Sequence, residues 1–302
     1  MIDALLPFPP EPVTSDEEPV DAGSLRYDDV IQDGRLRLES AWRPTGKLLW
    51  RDPAAARVFG AMRSGITNVL SRVTLQASEA RIEPRAKLRS KVSYRFEHTV
   101  NGSGAVDHIL FSTWVDVYGQ ARDGAFVPAA RAYGQRVFTR INAPPGKHLV
   151  THLDAFGPEG FPPDRVSWEP ATALLEPPAG ATLLDAEPRL DPIPVVFGLT
   201  HTDLNQHVNF LMYHRAVEQA ALSRSLELGN GARIASREVS LGYRKPSFAG
   251  DVVRIAVQAF RLLGGAFGVV AAVVSDDGGA AQRPRFSDFG SPRVVAQMLL
   301  RA

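Results

Sequence analysis

The feature that most constrains this chain is an order of patterns that occurs twice: a short strand, one long apolar helix, then several strands in succession. In the first half, alternation at Arg35-Leu36-Arg37-Leu38-Glu39 predicts a half-buried strand. Asp52-Pro53 follows, a capping residue before the residue favoured at the first helical position. Ala55, Val58, Phe59, Met62, Ile66, Val69, Leu70 and Val73 then recur at helical spacing over about five turns, with Gly65 a weak point. Strand-like runs cover 88–100, 106–118 and 130–141, and Asn101-Gly102-Ser103-Gly104 reads as a hairpin turn. In the second half a short apolar strand at 193–199 precedes a helix over 207–228. Strands follow at 235–243, 251–263, 267–275 and 291–300. The doubled order predicts two α+β units, in each of which a curved antiparallel sheet wraps one long helix.

Proline separates the units. Residues 158–194 hold nine prolines, too many for a helix or central strand, so this stretch reads as a connector. Trp168, Leu174, Leu175, Leu183 and Leu184 within it predict that it packs on the protein. Residues 1–24 hold five prolines and six acidic residues, and the first base is Arg26. That segment is expected as a mobile arm or an extended strap. The organisation is therefore an N-terminal arm over 1–24, a unit over 25–150, a connector over 151–192 and a second unit over 193–302.

Composition closes several routes. There is no Cys, so a disulfide framework, a Cys-ligated zinc and a Cys nucleophile are out. Thirty-four Lys and Arg against 33 Asp and Glu give a net charge of +1, without the basic field that drives nucleic-acid binding. No apolar run approaches the roughly 18 residues of a membrane helix. The first residues lack the basic start of a secretory signal, so a cytoplasmic protein is expected. No Gly-rich phosphate loop or dinucleotide fingerprint is present, and no cofactor is expected. Ser71, Ser240 and Ser247 lie in no nucleophile elbow. His201, His207 and His214 fit no metal-ligand spacing, and no metal is expected.

The chemistry concentrates where the second short strand gives way to its helix. Asp203, Asn205 and His207 crowd the entrance to a helix whose N-terminus offers unpaired N–H groups. Together they supply a carboxylate, an amide and an imidazole beside candidate oxyanion donors. Helix capping alone would need one of Thr202, Asp203 or Asn205. Asp52 in the first half is followed by no Asn or His and reads as a cap.

Asp203-x-Asn205-x-His207-Val208-Asn209, with Tyr213 following, resembles the signature of the hot-dog-fold thioesterases. It is most similar to that of the acyl-ACP thioesterases, whose motif continues with Asn where Phe210 stands here. Tyr243-Arg244-Lys245-Pro246, then Gly250-Asp251, resembles the strand and turn after the helix in the wider group of 4-hydroxybenzoyl-CoA thioesterase-like proteins. The resemblance implies an α+β tandem (double) hot-dog fold and hydrolysis of an acyl thioester, acyl-ACP or acyl-CoA, in fatty acid or polyketide metabolism. It places Asp203, Asn205 and His207 at the catalytic positions, with Val208, Asn209 and Tyr213 as oxyanion or substrate-positioning residues. The plant enzymes carry Glu-Cys where Pro246-Ser247 stand here, so one family carboxylate is absent, and Glu218 and Glu238 are the candidate auxiliary acids.

The first unit is expected to be catalytically silent, serving as pseudo-dimer partner and acyl pocket. The chain is expected as a monomer with that internal pseudo-dimer or as a homodimer, with no nucleic-acid or membrane partner. Lys87, Arg89, Lys91 and Arg95 share one strand face, either a solvated surface or a docking patch for a carrier's phosphates or an acidic carrier protein. Tyr213 and Met212 read as core or as substrate contacts. Two alternatives remain: a hot-dog hydratase, dehydratase or polyketide-releasing enzyme acting on acyl thioesters, and a protein that binds acyl thioesters without turnover.

Overall fold

The computed structural model describes residues 2–12, 19–31, 33–42, 53–60, 65–140, 143–144, 146–203, 205–230, 235–276, 285–289 and 291–301. Asp52 lies outside them. The chain divides into two compact units, Met1–Asp3 with Pro7–Glu169, and Ala4–Leu6 with Pro170–Ala302.

Unit 1 is built on five antiparallel strands: β1 (Val20–Ser24), β2 (Thr67–Ala77), β3 (Lys87–Val100), β4 (Val106–Gln120) and β5 (Phe126–Thr139). Their order in the sheet is β1-β3-β4-β5-β2. The β3–β4 turn is closed as expected, with Asn101 Oδ1 accepting the N–H groups of Ser103 and Ala105. Side chains alternate across β3. Val92, Tyr94 and Phe96 pack towards helix α1 (Pro53–Gly60), in a cluster with Val58, Phe59, Phe111 and Phe138. On the other face Ser93 donates to Glu11, and Trp114 Nε1 donates to the Pro9 carbonyl. The described part of the N-terminal segment in this unit is thus an extended strap.

Two expectations fail in unit 1. The described helix is Pro53–Gly60, Met62 lies outside the described residues, and Val69, Leu70 and Val73 belong to strand β2. Gly65 has φ +82°, a left-handed conformation that no helix continues through. The stretch beyond it is rich in Thr and Val, which favour a pleated strand. The alternating segment at 35–39 is not a strand either. Leu36 and Arg35 make single bridges to Val30 and Arg81, and Leu38–Trp42 coils into a 3-10 helix. Alternation gives a strand only where a neighbour supplies the ladder.

Unit 2 holds helix α2 (Phe210–Glu227) on a sheet of β9 (Ala235–Tyr243), β12 (Val294–Arg301), β11 (Phe267–Ser275) and β10 (Val252–Arg261), in that spatial order. β11 reads Phe-Gly-Val-Val-Ala-Ala-Val-Val-Ser and is buried along nearly its whole length, because both sheet faces are covered. Ala216, Val217, Ala220 and Ala221 bring α2 close to one face. The other face takes Leu6 and the 3-10 helix Ala171–Leu175. There a Cβ on Gly242 would fall 2.7 Å from the Ala171 Cβ. The proline-rich stretch supplies three two-residue strands to the outer edge of β10, β6 (Thr182–Leu183), β7 (Arg189–Leu190) and β8 (Val195–Val196). An edge strand is where missing N–H groups cost least. No described helix is long and apolar enough to cross a membrane.

Candidate functional site

Thr202, Asp203 and residues 205–208 close on one another at the N-terminus of α2. Thr202 and Val208 bridge, and the Asp203 N–H donates to the His207 carbonyl at 2.9 Å. The Gln206 N–H donates to the Asp203 carbonyl, and Gln206 sits at φ +62°, the left-handed turn residue. Asp203 Oδ1 accepts the Asn205 N–H at 2.8 Å, which fixes the carboxylate. Asp203 and Asn205 are exposed, and His207 is half-buried. The His207 ring meets the Phe248 ring edge-on, centroids 5.3 Å apart. Among the described residues no side-chain hydrogen bond or ion pair joins the Asp203 carboxylate to the His207 imidazole.

The N–H groups expected to hold a carbonyl oxygen are mostly used internally. Val208 donates to the Ser247 carbonyl and Asn209 to the His201 carbonyl, both at 2.8 Å. The Asn209 side chain is the N-cap of α2, accepting the Leu211 N–H at 3.0 Å. His201 Nδ1 accepts the Gly198 N–H, so this imidazole braces the loop.

The segment after β9 closes the site from the other side. The buried Tyr213 hydroxyl accepts the Ser247 N–H at 2.9 Å. Arg293 donates to the Pro246 carbonyl at 2.7 Å and pairs with Asp251 at 2.8 Å, and Asp251 also takes the Phe248 N–H. Burial pushes the Tyr213 hydroxyl above its ordinary 10.0, against the opposing hydrogen bond from Ser247. Burial raises Tyr243 well above the same value. Phe248 and Arg293 escape a sequence reading. The Gly250-Asp251 turn flags the first faintly, and nothing local flags the second.

The candidate auxiliary acids are engaged elsewhere in unit 2. Glu218 accepts from Ser236. Glu238, 1% exposed, accepts the N–H groups of Leu5 and Leu6 and pairs with Arg301 at 2.7 Å. Of the four basic residues of β3, Lys87 and Arg89 are exposed, and three have a neighbour of their own. Arg89 lies over the Phe126 ring, Lys91 stands opposite Asp116, and Arg95 approaches Glu97 and Asp164. Among the described residues no cluster of His, Asp and Glu could hold a metal.

Each unit folds a helix onto a curved antiparallel sheet, and two such units in one chain define the double hot-dog fold. The chain matches a 12:0-ACP thioesterase from Umbellularia californica at 13% identity and TM-score 0.58, covering 92% of this chain and 91% of that one. It matches a Lactobacillus plantarum protein assigned provisionally as an oleoyl thioesterase at 12% identity and TM-score 0.57, covering 92% and 94%. No family model matches the sequence, and no curated protein matches it. The likeness is one of fold.

Proposed function

We propose that this protein hydrolyses acyl thioesters carried on an acyl carrier protein or coenzyme A. The observation that carries the proposal is the closure of Thr202, Asp203 and residues 205–208 on one another, which presents a carboxylate, an amide and an imidazole from alternating positions at a hot-dog helix entrance. A thioester needs no covalent nucleophile. Water adds to the carbonyl carbon, charge builds on the carbonyl oxygen, and the tetrahedral intermediate expels the thiol.

His207 takes the proton of the attacking water, a role worth about 10²–10⁴-fold. Its ring makes no hydrogen bond among the described residues, so a nitrogen is available to accept. Asp203, fixed by the Asn205 N–H, orients the water and offsets the charge of the imidazolium. The exposed Asn205 amide donates to the carbonyl oxygen, because the Val208 and Asn209 N–H groups are already satisfied.

One observation favours a second reading, binding without turnover. Pro246 stands where the plant enzymes carry Glu, and neither Glu218 nor Glu238 is held at the loop. Free-thiol release from acyl-ACP and acyl-CoA substrates of several chain lengths separates the two. Turnover that falls at least about a hundredfold in His207→Ala, with the fold retained, supports hydrolysis. Equal rates in both proteins remove His207 from the mechanism. Tight acyl-carrier binding with no thiol release supports the binding reading, and conversion of an enoyl thioester without thiol release supports a hydratase.

A further inference from the structure

A cavity of about 230 Å³ opens in unit 2 between the last turns of α2 and the strands β7 and β10. Ser223 on its wall is about 20 Å along the helix from Phe210, so the cavity is separate from the candidate site at the N-terminus. It is smaller than the roughly 300 Å³ at which sites for drug-sized ligands begin, and its ligand is correspondingly small. Leu190, Ala220 and Val257 give it apolar walls.

The chain at β7 brings two opposite charges to this cavity. Arg189 stands opposite Val257 in the sheet, and the Asp191 N–H donates to the Ile255 carbonyl at 2.8 Å, so both belong to the face that α2 covers. Two residues apart on one face, they are placed to pair with each other, yet no ion pair joins them. Arg189 is exposed and its side chain makes no hydrogen bond or ion pair among the described residues. Asp191 is 8% exposed. One of its oxygens takes the Ile193 N–H at 2.8 Å, and the other has no partner among the described residues. The other charges at the cavity are engaged among themselves. Arg224 holds Asp185 through Nε and Nη2 and Glu227 through Nη1, and Asp185 also takes the Ala259 N–H.

A carboxylate removed from water is costly unless a cation or several donors compensate it. One backbone N–H compensates Asp191 only in part. An ammonium on a ligand would complete its shell with up to three donors. An ammonium alone would enter beside the unpaired Arg189, and a carboxylate alone would enter beside Asp191. A ligand that carries both charges satisfies both, its carboxylate held by the guanidinium fork. The volume admits one compact zwitterion with a short apolar body.

We propose that this cavity binds an α-amino acid with an apolar side chain, its ammonium on Asp191 and its carboxylate on Arg189. The site lies wholly in unit 2 and does not depend on the hydrolytic reading.

Norleucine, pentylamine and hexanoate share an apolar body, and the second lacks the carboxylate and the third the ammonium. Calorimetric titration of the full chain at neutral pH is expected to give norleucine an affinity at least about tenfold tighter than either. Saturating norleucine is expected to raise the thermal midpoint. Arg189→Gln is expected to reduce norleucine to the affinity of pentylamine. Asp191→Asn, which keeps an oxygen for the Ile193 N–H, is expected to reduce it to that of hexanoate. His207→Ala is expected to bind norleucine as the wild type does, which separates this site from the hydrolytic one. No measurable norleucine binding, or norleucine no tighter than hexanoate, overturns the proposal. So does pentylamine binding as tightly as norleucine, which would leave a receptor for a cation alone. A preference that survives both substitutions overturns it too. Arg189 is exposed, so its variant tests the site even where Asp191→Asn costs stability.

Discussion

The Tyr213 hydroxyl, on the second turn of α2, accepts the backbone N–H of Ser247 at 2.9 Å. Both residues are buried, Tyr213 at 3% exposure and Ser247 at 0%. The helix thereby fixes the segment whose Ser247 carbonyl takes the Val208 N–H and whose Phe248 touches His207. Tyr213→Phe keeps the ring and removes the acceptor, orphaning a buried N–H. It is expected to lose about 1–3 kcal/mol in urea unfolding. It is also expected to lower kcat more than it raises KM, because the damage falls on the placement of the imidazole.

The tyrosines set an alkaline limit. Burial raises Tyr213 and Tyr243, and in unit 1 it pushes Tyr133 up to about 12. A raised folded pKa means the unfolded chain ionises first. The stability these groups contribute is fully present below pH about 10 and is lost as pH rises towards 12. Urea midpoints measured through this range should fall progressively. Tyr243→Phe removes a hydroxyl whose contact to the Phe210 carbonyl is long, 3.5 Å. It is expected to change little at neutral pH and to flatten the alkaline decline. A decline as steep as that of the wild type would contradict the assignment.

Glu238 tests whether a buried acid in unit 2 serves chemistry or architecture. Its carboxylate holds the Leu5 and Leu6 N–H groups and Arg301, and Leu6 enters the core beside Phe260 and Val270. Glu238→Ala is expected to cost about 3 kcal/mol, the low end for breaking a buried pair because Arg301 stays partly hydrated. Thiol release per folded molecule is expected to remain unchanged. A specific loss of kcat with stability intact would restore Glu238 as an auxiliary acid.

What was legible in the sequence follows how local the deciding physics is. Strands β9 and β11 fall on the residues that alternation and continuous apolar runs predict, 235–243 and 267–275. Helix α2 begins at Phe210, three residues after the expected start, because Asp203 closes on His207 through its N–H and Asn209 takes the cap. Periodicity overextends the first helix because Ile66, Val69, Leu70 and Val73 satisfy a helical spacing by coincidence. Pairing of β2 with β5 decides their conformation, and pairing is non-local. The same holds for the side chains. The motif places Asp203, Asn205 and His207 on one loop, but only coordinates reveal that Glu238 grips Leu5 and that Arg136 lies between two rings.

Asn209 carries two readings that a pair of substitutions separates. As a substrate-positioning residue it would donate from its amide nitrogen. In the structure its side-chain oxygen takes the Leu211 N–H at 3.0 Å. Asn209→Ala should then cost about 1 kcal/mol, and Asn209→Ser should recover most of that loss. Activity should track stability across both variants. A serine variant that folds as well as wild type but releases thiol much more slowly would assign the amide to the substrate.

The contact between His207 and Phe248 gives the sharpest separation of site from scaffold. Phe248 is 46% exposed, so Phe248→Ala removes little buried area and should change stability by less than about 1 kcal/mol. The ring is nevertheless the one aromatic contact that the His207 imidazole makes among the described residues. Without it the imidazole samples more rotamers, and the fraction poised to take a proton from water falls. Thiol release by Phe248→Ala should therefore drop about tenfold with KM little changed, whereas Phe248→Leu, which keeps an apolar wall, should retain part of the rate. Both variants should bind a non-hydrolysable acyl thioester as the wild type does. A loss of binding in parallel with rate would make Phe248 part of the substrate pocket instead, with His207 positioned by other means.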